Sequence, residues 1–156
     1  MKVAPTLDSG LKIEAEVPGD WDVLRCILSD ACAGETDLAS RLAQGIEEPE
    51  AAEDWENYVV PELREKFGGQ LFKVERAIES AAAEFSGQPG TIYIPPEDLF
   101  SWYGALNQAR LGLEARYGFG PVTQPDLTAM SIGRRSGFLR GRFYTAVQSI
   151  MLDHLM

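Results

Sequence analysis

The sequence predicts a mainly α fold: about five helices packed round a central helix, with a small N-terminal β hairpin and one later strand beside it. Three patterns lead there. Residues 99–117 carry apolar side chains on nearly every face of a helix, as expected of a helix enclosed by its neighbours. Residues 55–85 repeat an apolar side chain every third or fourth position, and residues 11–17 alternate apolar with charged ones. At 156 residues and 45% hydrophobic content the chain fits a single domain, 1–156, that buries about 70% of its unfolded surface.

Taken in order, Lys2 to Leu7 reads as the first hairpin arm, Asp8-Ser9-Gly10 as its turn, and Leu11, Ile13, Ala15 and Val17 as the inward residues of the second arm. Pro5 has no amide hydrogen to give to a ladder, so the first arm belongs at an edge. A lone hairpin is marginal, and Thr91–Ile94 is the third strand that would support it. Pro18-Gly19-Asp20 closes the hairpin, with Asp20 expected as the N-cap of a helix and Asp22 in its first turn. Trp21, Val23, Leu24, Ile27, Leu28 and Ala31 form that helix's buried side, and Gly34 stops it. Thr36 or Asp37 caps a short helix through Leu38, Leu42 and Ala43, and residues 46–50 are an acidic connector.

The long segment places Trp55, Val59, Leu63, Phe67, Leu71, Val74, Ile78, Ala82 and Phe85 in one register that runs through Gly68-Gly69. It therefore reads as helix on both sides of the glycines, with a kink at Pro61. A loop at residues 86–90 leads to the strand, a Pro95-Pro96 break and the central helix. Residues 119–137, rich in Gly and Pro, read as irregular apart from one turn at Asp126–Met130. A last helix is expected from Phe138 or Leu139, with Leu139, Phe143, Val147, Ile150, Met151 and Leu155 on its core face.

Composition excludes several classes of function. The net charge is −10; residues 1–100 hold 21 acids and 8 bases (−13), residues 101–156 hold 3 and 6 (+3). Such a surface repels nucleic acid over most of its area. No apolar run approaches the ~18 residues of a membrane span, and residues 1–12 lack the apolar core of a signal peptide. No nucleic acid and no membrane are expected as partners, and the location is expected to be cytoplasmic. Cys26 and Cys32, six apart in one helix, are too distant to bridge and read as buried reduced thiols. With one histidine, His154, near the end of the last helix, neither a metal site nor a cofactor is expected. Glu53, Asp54, Glu56, Glu62 and Glu65 avoid the apolar stripe of the long helix and belong to its solvated face.

No phosphate-cradling loop, dinucleotide fingerprint or nucleophile elbow is present, so no catalytic residue is assigned. Two polar groups are the candidate binding residues. Asn107, Arg110 and Glu114 share one face of the central helix, where Arg110 can pair with Glu114 or, with Tyr103 nearby, line a pocket for an anionic group such as a peptide carboxyl terminus. Arg134, Arg135, Arg140 and Arg142 supply four of the six bases in the final third, and Arg134 and Arg135 with Arg110 would mark a contact surface.

The run WYGALNQARLGLEARYG, with Trp102, Leu106-Asn107, Arg110-Leu111 and Leu113 in a W-x3-LN-x2-RL-x-L pattern, resembles a bacterial, mainly actinobacterial, family of domains of unknown function. Trp55 with Leu63 and the closing FYTAVQSIMLDHLM are similar to the same family over nearly the whole chain; Pro61 and the Gly/Arg-rich stretch 131–142 depart from its pattern. The resemblance implies a shared fold, carries no catalytic residues, and implies at most a regulatory or adaptor role in protein turnover.

The functional expectation is a non-enzymatic cytosolic interaction or regulatory protein that binds a protein partner or itself as a homodimer. The alternative is a small-ligand-binding protein, or an enzyme with an unfamiliar pocket, built around Tyr103, Asn107 and Arg110.

Overall fold

The computed structural model describes residues 1–34, 37–121 and 124–156. Strands β1 (Lys2–Pro5), β2 (Leu11–Ala15) and β3 (Gly90–Ile94) form one antiparallel sheet in the order β1-β2-β3. In its register Leu11 faces Ile94 and Ile13 faces Ile92, so Leu11, Ile13 and Ala15 lie on one buried side; Val17, expected to face inward with them, lies beyond the end of β2 and is 54% exposed. Pro5 lies on the edge strand, where its missing amide hydrogen costs no ladder bond. Thr91–Ile94 joins the hairpin as expected.

Helix α1 (Gly19–Ala31) leaves the sheet, and α2 (Leu38–Ala43) follows. Asp20 is not the N-cap of α1. Pro18 already holds helical dihedrals and starts the helix early, so Asp20 sits inside the first turn. Its carboxylate turns back instead to accept from the backbone N–H of Glu16 at 2.8 Å and of Val17 at 3.2 Å. Of the two residues expected to cap α2, Thr36 lies outside the described residues. Asp37 is the cap, accepting from Ser40 N–H at 2.8 Å and pairing with Arg64 at 2.7 Å.

Helix α3 (Pro49–Asp54) runs through a π turn, Trp55–Val59, straight into α4 (Val60–Glu84). Pro61 is the second residue after the π turn. A proline in a regular helix would clash with the carbonyl four residues back and leave it without a donor, and the wider π turn relieves both. Helix continues through Gly68-Gly69. Counting 49–84 as one interrupted helix leaves five helical units among the described residues, with α5 (Leu99–Tyr117) and α6 (Ile132–His154) completing the set.

Helix α5 is the central element and packs on α1, α4 and α6. Leu99, Trp102, Ala105, Leu106, Ala109 and Leu113 are buried on it, sharing one core with the inner sheet face, Trp21, Leu24, Ile27, Val74, Ile78, Tyr144, Val147 and Met151. Gly112 lets α1 touch α5: a Cβ there would sit 1.8 Å from the carbonyl oxygen of Asp30. A smaller apolar cluster, with Ala39, Ala43 and Val60 buried and Trp55, Leu63 and Phe67 packed on it, ties α2 to the π turn.

The last helix begins six residues before Phe138. Ser131 caps it by accepting from Arg134 N–H, and its glycines serve packing: a Cβ on Gly137 would stand 2.7 Å from the Tyr117 ring. Part of a stretch that reads as irregular by composition is thus helical, and Gly137 in it leaves room for the Tyr117 ring of α5. The expected core face of α6 holds at Val147 and Met151, whereas Leu139 is half exposed and Phe138, Tyr144 and Gln148 are buried in its stead. The turn expected at Asp126–Met130 is present as a 3-10 turn at Leu127–Ala129. Cys26 is half-buried and Cys32 exposed, both as free thiols, so the reading of two buried thiols is corrected at Cys32, which follows the last turn of α1. Among the described residues no helix is long and apolar enough to cross a membrane.

Candidate functional site

A groove of about 540 Å³ lies between α5 and α6. Asn107, Arg110, Leu111 and Glu114 enter it from α5, and Phe138, Arg142 and Thr145 from α6. Gly141 and Ala146 are too small to fill the space between them, and Phe119, just beyond α5, closes one end. The α6 members recur at spacings of four and three, which puts them on one helical face.

The walls are held by interactions inside the chain. Gln148, buried at 2% exposure, accepts from Arg110 Nη1 at 2.7 Å and donates to the Tyr103 carbonyl at 3.1 Å, joining α6 to two turns of α5. Glu114 accepts from the Gly120 N–H at 3.0 Å, which anchors the chain as it leaves α5. Arg110 is therefore bonded to Gln148 rather than to Glu114. Phe119 meets Phe138 edge-on with centroids 5.4 Å apart and lies beside Tyr117 at 5.3 Å. The guanidinium of Arg134 covers the Phe119 ring at 4.8 Å, and that of Arg142 lies 6.0 Å from the Phe138 centroid.

These contacts sort the residues singled out from sequence. Asn107 and Arg110 line the groove and are exposed. Tyr103 is half-buried and reaches the site through its backbone carbonyl bond to Gln148. Arg134 and Arg135 are half-buried and donate to backbone: Arg134 to the Tyr117 carbonyl, Arg135 to those of Leu127 at 2.8 Å and Met130 at 3.3 Å. They tie the start of α6 to the end of α5 and to the residues just before α6, and Arg134 also steadies Phe119. The groove residues missed from sequence are Phe119, Phe138 and Thr145; Arg142, singled out as one of four clustered arginines, belongs here with Asn107 and Arg110. The i, i+4, i+7 spacing of Phe138, Arg142 and Thr145 would have shown a shared face had the helix been started at Ile132.

Arg140, the fourth arginine, does different work. Its Nε and Nη2 bond both oxygens of Asp30 at 2.7 and 2.8 Å, and Tyr144 donates its hydroxyl to Asp30 Oδ2 at 2.7 Å. Asp30 is 2% exposed. The fork-shaped bonding raises the Arg140 guanidinium above its ordinary value despite burial. Burial first, and then the hydrogen bond to Asp30, pushes the Tyr144 phenol well above 10.0. All three groups are satisfied by one another, so the cluster is a structural lock between α1 and α6. Among the described residues no three His, Cys, Asp or Glu side chains converge as metal ligands would.

Residues 7–154 match the family model described as a domain of unknown function, DUF2017. The chain belongs to the DUF2017 family. No curated protein and no solved structure gives a match. The span shared with DUF2017 takes in both walls of the groove and the Asp30–Arg140–Tyr144 lock, and leaves out only residues 1–6 and the last two residues.

Proposed function

We propose that this DUF2017 domain is a cytosolic, non-enzymatic interaction or regulatory protein that receives a short acidic and apolar peptide segment of a partner between α5 and α6. The observation that supports this most is the pairing of chemistries in the groove: Arg110 and Arg142 line it together with apolar Leu113, Phe119 and Phe138, the Arg142 guanidinium lying 6.0 Å from the Phe138 centroid. Arginine presents a planar fork to a carboxylate, and the aromatic floor removes apolar side chains from water. A peptide carboxyl terminus, or an Asp or Glu next to an apolar residue, satisfies both. In this reading Arg134 and Arg135 shape the contact surface by holding its rim. The implied place is as a regulator or adaptor in protein turnover. A second copy of the chain is one eligible partner, since its first 100 residues carry the −13 charge that complements the two arginines.

The groove volume also lies within the ~300–1,000 Å³ of small-molecule sites, so a small organic anion is the second reading.

A display selection with a random peptide library bearing free carboxyl termini tests the proposal, with Arg142→Glu protein as the counter-selection. Enrichment of acidic, apolar sequences on the wild type alone supports it. Equal enrichment on both proteins, or none on either, contradicts it, and a screen of carboxylate metabolites by thermal shift then tests the second reading.

A further inference from the structure

Arg110 and Glu114 stand about one turn apart on α5, a spacing at which a base and an acid on one helix ordinarily meet. They are held apart. Arg110 Nη1 donates to Gln148 Oε1 at 2.7 Å, and Glu114 accepts from the Gly120 N–H at 3.0 Å. Each takes a partner from outside α5, so tertiary packing separates a pair that the helix alone would form.

Gln148 can do this in one orientation only. It is 2% exposed, and its Nε2 donates to the Tyr103 carbonyl at 3.1 Å, which leaves Oε1 as the end that meets Arg110. Turning the amide over would set oxygen against the carbonyl and N–H against the guanidinium. Arg110, by contrast, is exposed and lines the groove with Asn107 and Thr145. One of its N–H groups is anchored, and among the described residues it makes no ion pair. A carboxylate arriving there meets solvated N–H groups and has no neighbouring acid to displace.

We infer that Gln148 is a positioning residue for the ligand: by anchoring Arg110 from the buried side it keeps the guanidinium off Glu114 and offers it to the carboxylate of the occupant. The inference rests on the groove reading above and adds the interior residue that makes Arg110 competent. A guanidinium already fixed at one N–H has less freedom to lose on binding.

N-acetyl-L-phenylalanine and N-acetyl-L-phenylalaninamide are the probes, since they share the aromatic body and differ in the carboxylate. Amide chemical shifts of residues 107–119 and 138–146 in the isotope-labelled full chain report their binding. Wild type is expected to bind the acid at least about tenfold more tightly than the amide, as a hydrogen bond to a charged group produces. Gln148→Met keeps the bulk, frees Arg110 to reach Glu114, and should lose most of that preference. Adding Glu114→Gln removes the competing acid and should restore the preference. The gain should exceed that of Glu114→Gln in the wild-type background by about twofold or more, which sets the pairing apart from charge acting through space. If Gln148→Met does not fold, the wild-type guanidinium signals decide: an anchored Arg110 shows separately resolved Nη protons with a through-space contact to the Gln148 side chain, and one averaged signal overturns the inference. Gln148→Met that keeps the full preference, or a double variant with no such gain, overturns the positioning role and leaves the groove reading standing. A wild type that does not prefer the acid overturns both.

Discussion

Asp30 and Arg140, 110 residues apart, meet through two parallel hydrogen bonds of 2.8 and 2.7 Å in the interior, with side chains only 3% and 16% exposed. The same carboxylate takes the Tyr144 hydroxyl, and its backbone carbonyl lies against Gly112. One residue of α1 thus meets α6 through its side chain and α5 through its backbone. The groove proposed for partner binding is built from α5 and α6, so this contact also sets the frame on which its two walls stand.

Removing one charge of this pair strands the other. Asp30→Ala is expected to lower unfolding stability by about 3–5 kcal/mol, read as a lower urea midpoint. Adding Arg140→Met should recover part of that loss, because the stranded guanidinium is then gone. A double variant less stable than Asp30→Ala alone contradicts the account.

The phenol of Tyr144 supplies a pH signature. Its folded value is raised above the ordinary 10.0, so its contribution is fully present below pH 10. Above pH 10 the unfolded chain can release the proton and the folded chain holds it, and stability therefore falls as pH rises. Urea midpoints from pH 8 to 11 should drop more steeply for wild type than for Tyr144→Phe. Parallel curves would remove Tyr144 from the explanation.

Gly112 has no room for a side chain. A Cβ 1.8 Å from the Asp30 carbonyl forces α1 and α5 apart, and Gly112→Ala should cost about 1–3 kcal/mol or more, as overpacked cores do. Chemical denaturation measures it directly. A variant as stable as wild type would mean that the two helices separate freely.

Much of this fold is legible in the sequence because its signals are local. The alternation in residues 11–15 defines the buried sheet face, although Val17, which continues it, is exposed, and the all-round apolar character of 99–117 marks α5 as central. The unbroken apolar register from Trp55 to Phe85 carries the reading across Gly68-Gly69. Failures occur where a distant contact overrides local chemistry. Gly133 reads as a helix breaker, yet it lies within α6, and Gly137 further along that helix leaves room for the Tyr117 ring. Asp20 has the chemistry of a cap, and Pro18 moves the helix start past it. Of the groove, Asn107 and Arg110 are visible as a polar face on an apolar helix. Phe119 is not, and Arg142 reads only as one of four clustered arginines, since only the meeting of α5 with α6 makes them neighbours of that face. Gln108 and Gln148 are buried by tertiary packing, and no spacing rule announces a buried glutamine.

The most direct test of the groove as a partner site is amide chemical-shift mapping with a peptide taken from the display selection. Binding in the groove predicts shifts concentrated in residues 107–119 and 138–146, weakened together by Arg110→Ala and by Arg142→Glu while both variants keep a native spectrum. Saturable shifts centred on another surface and unchanged by either substitution would contradict it.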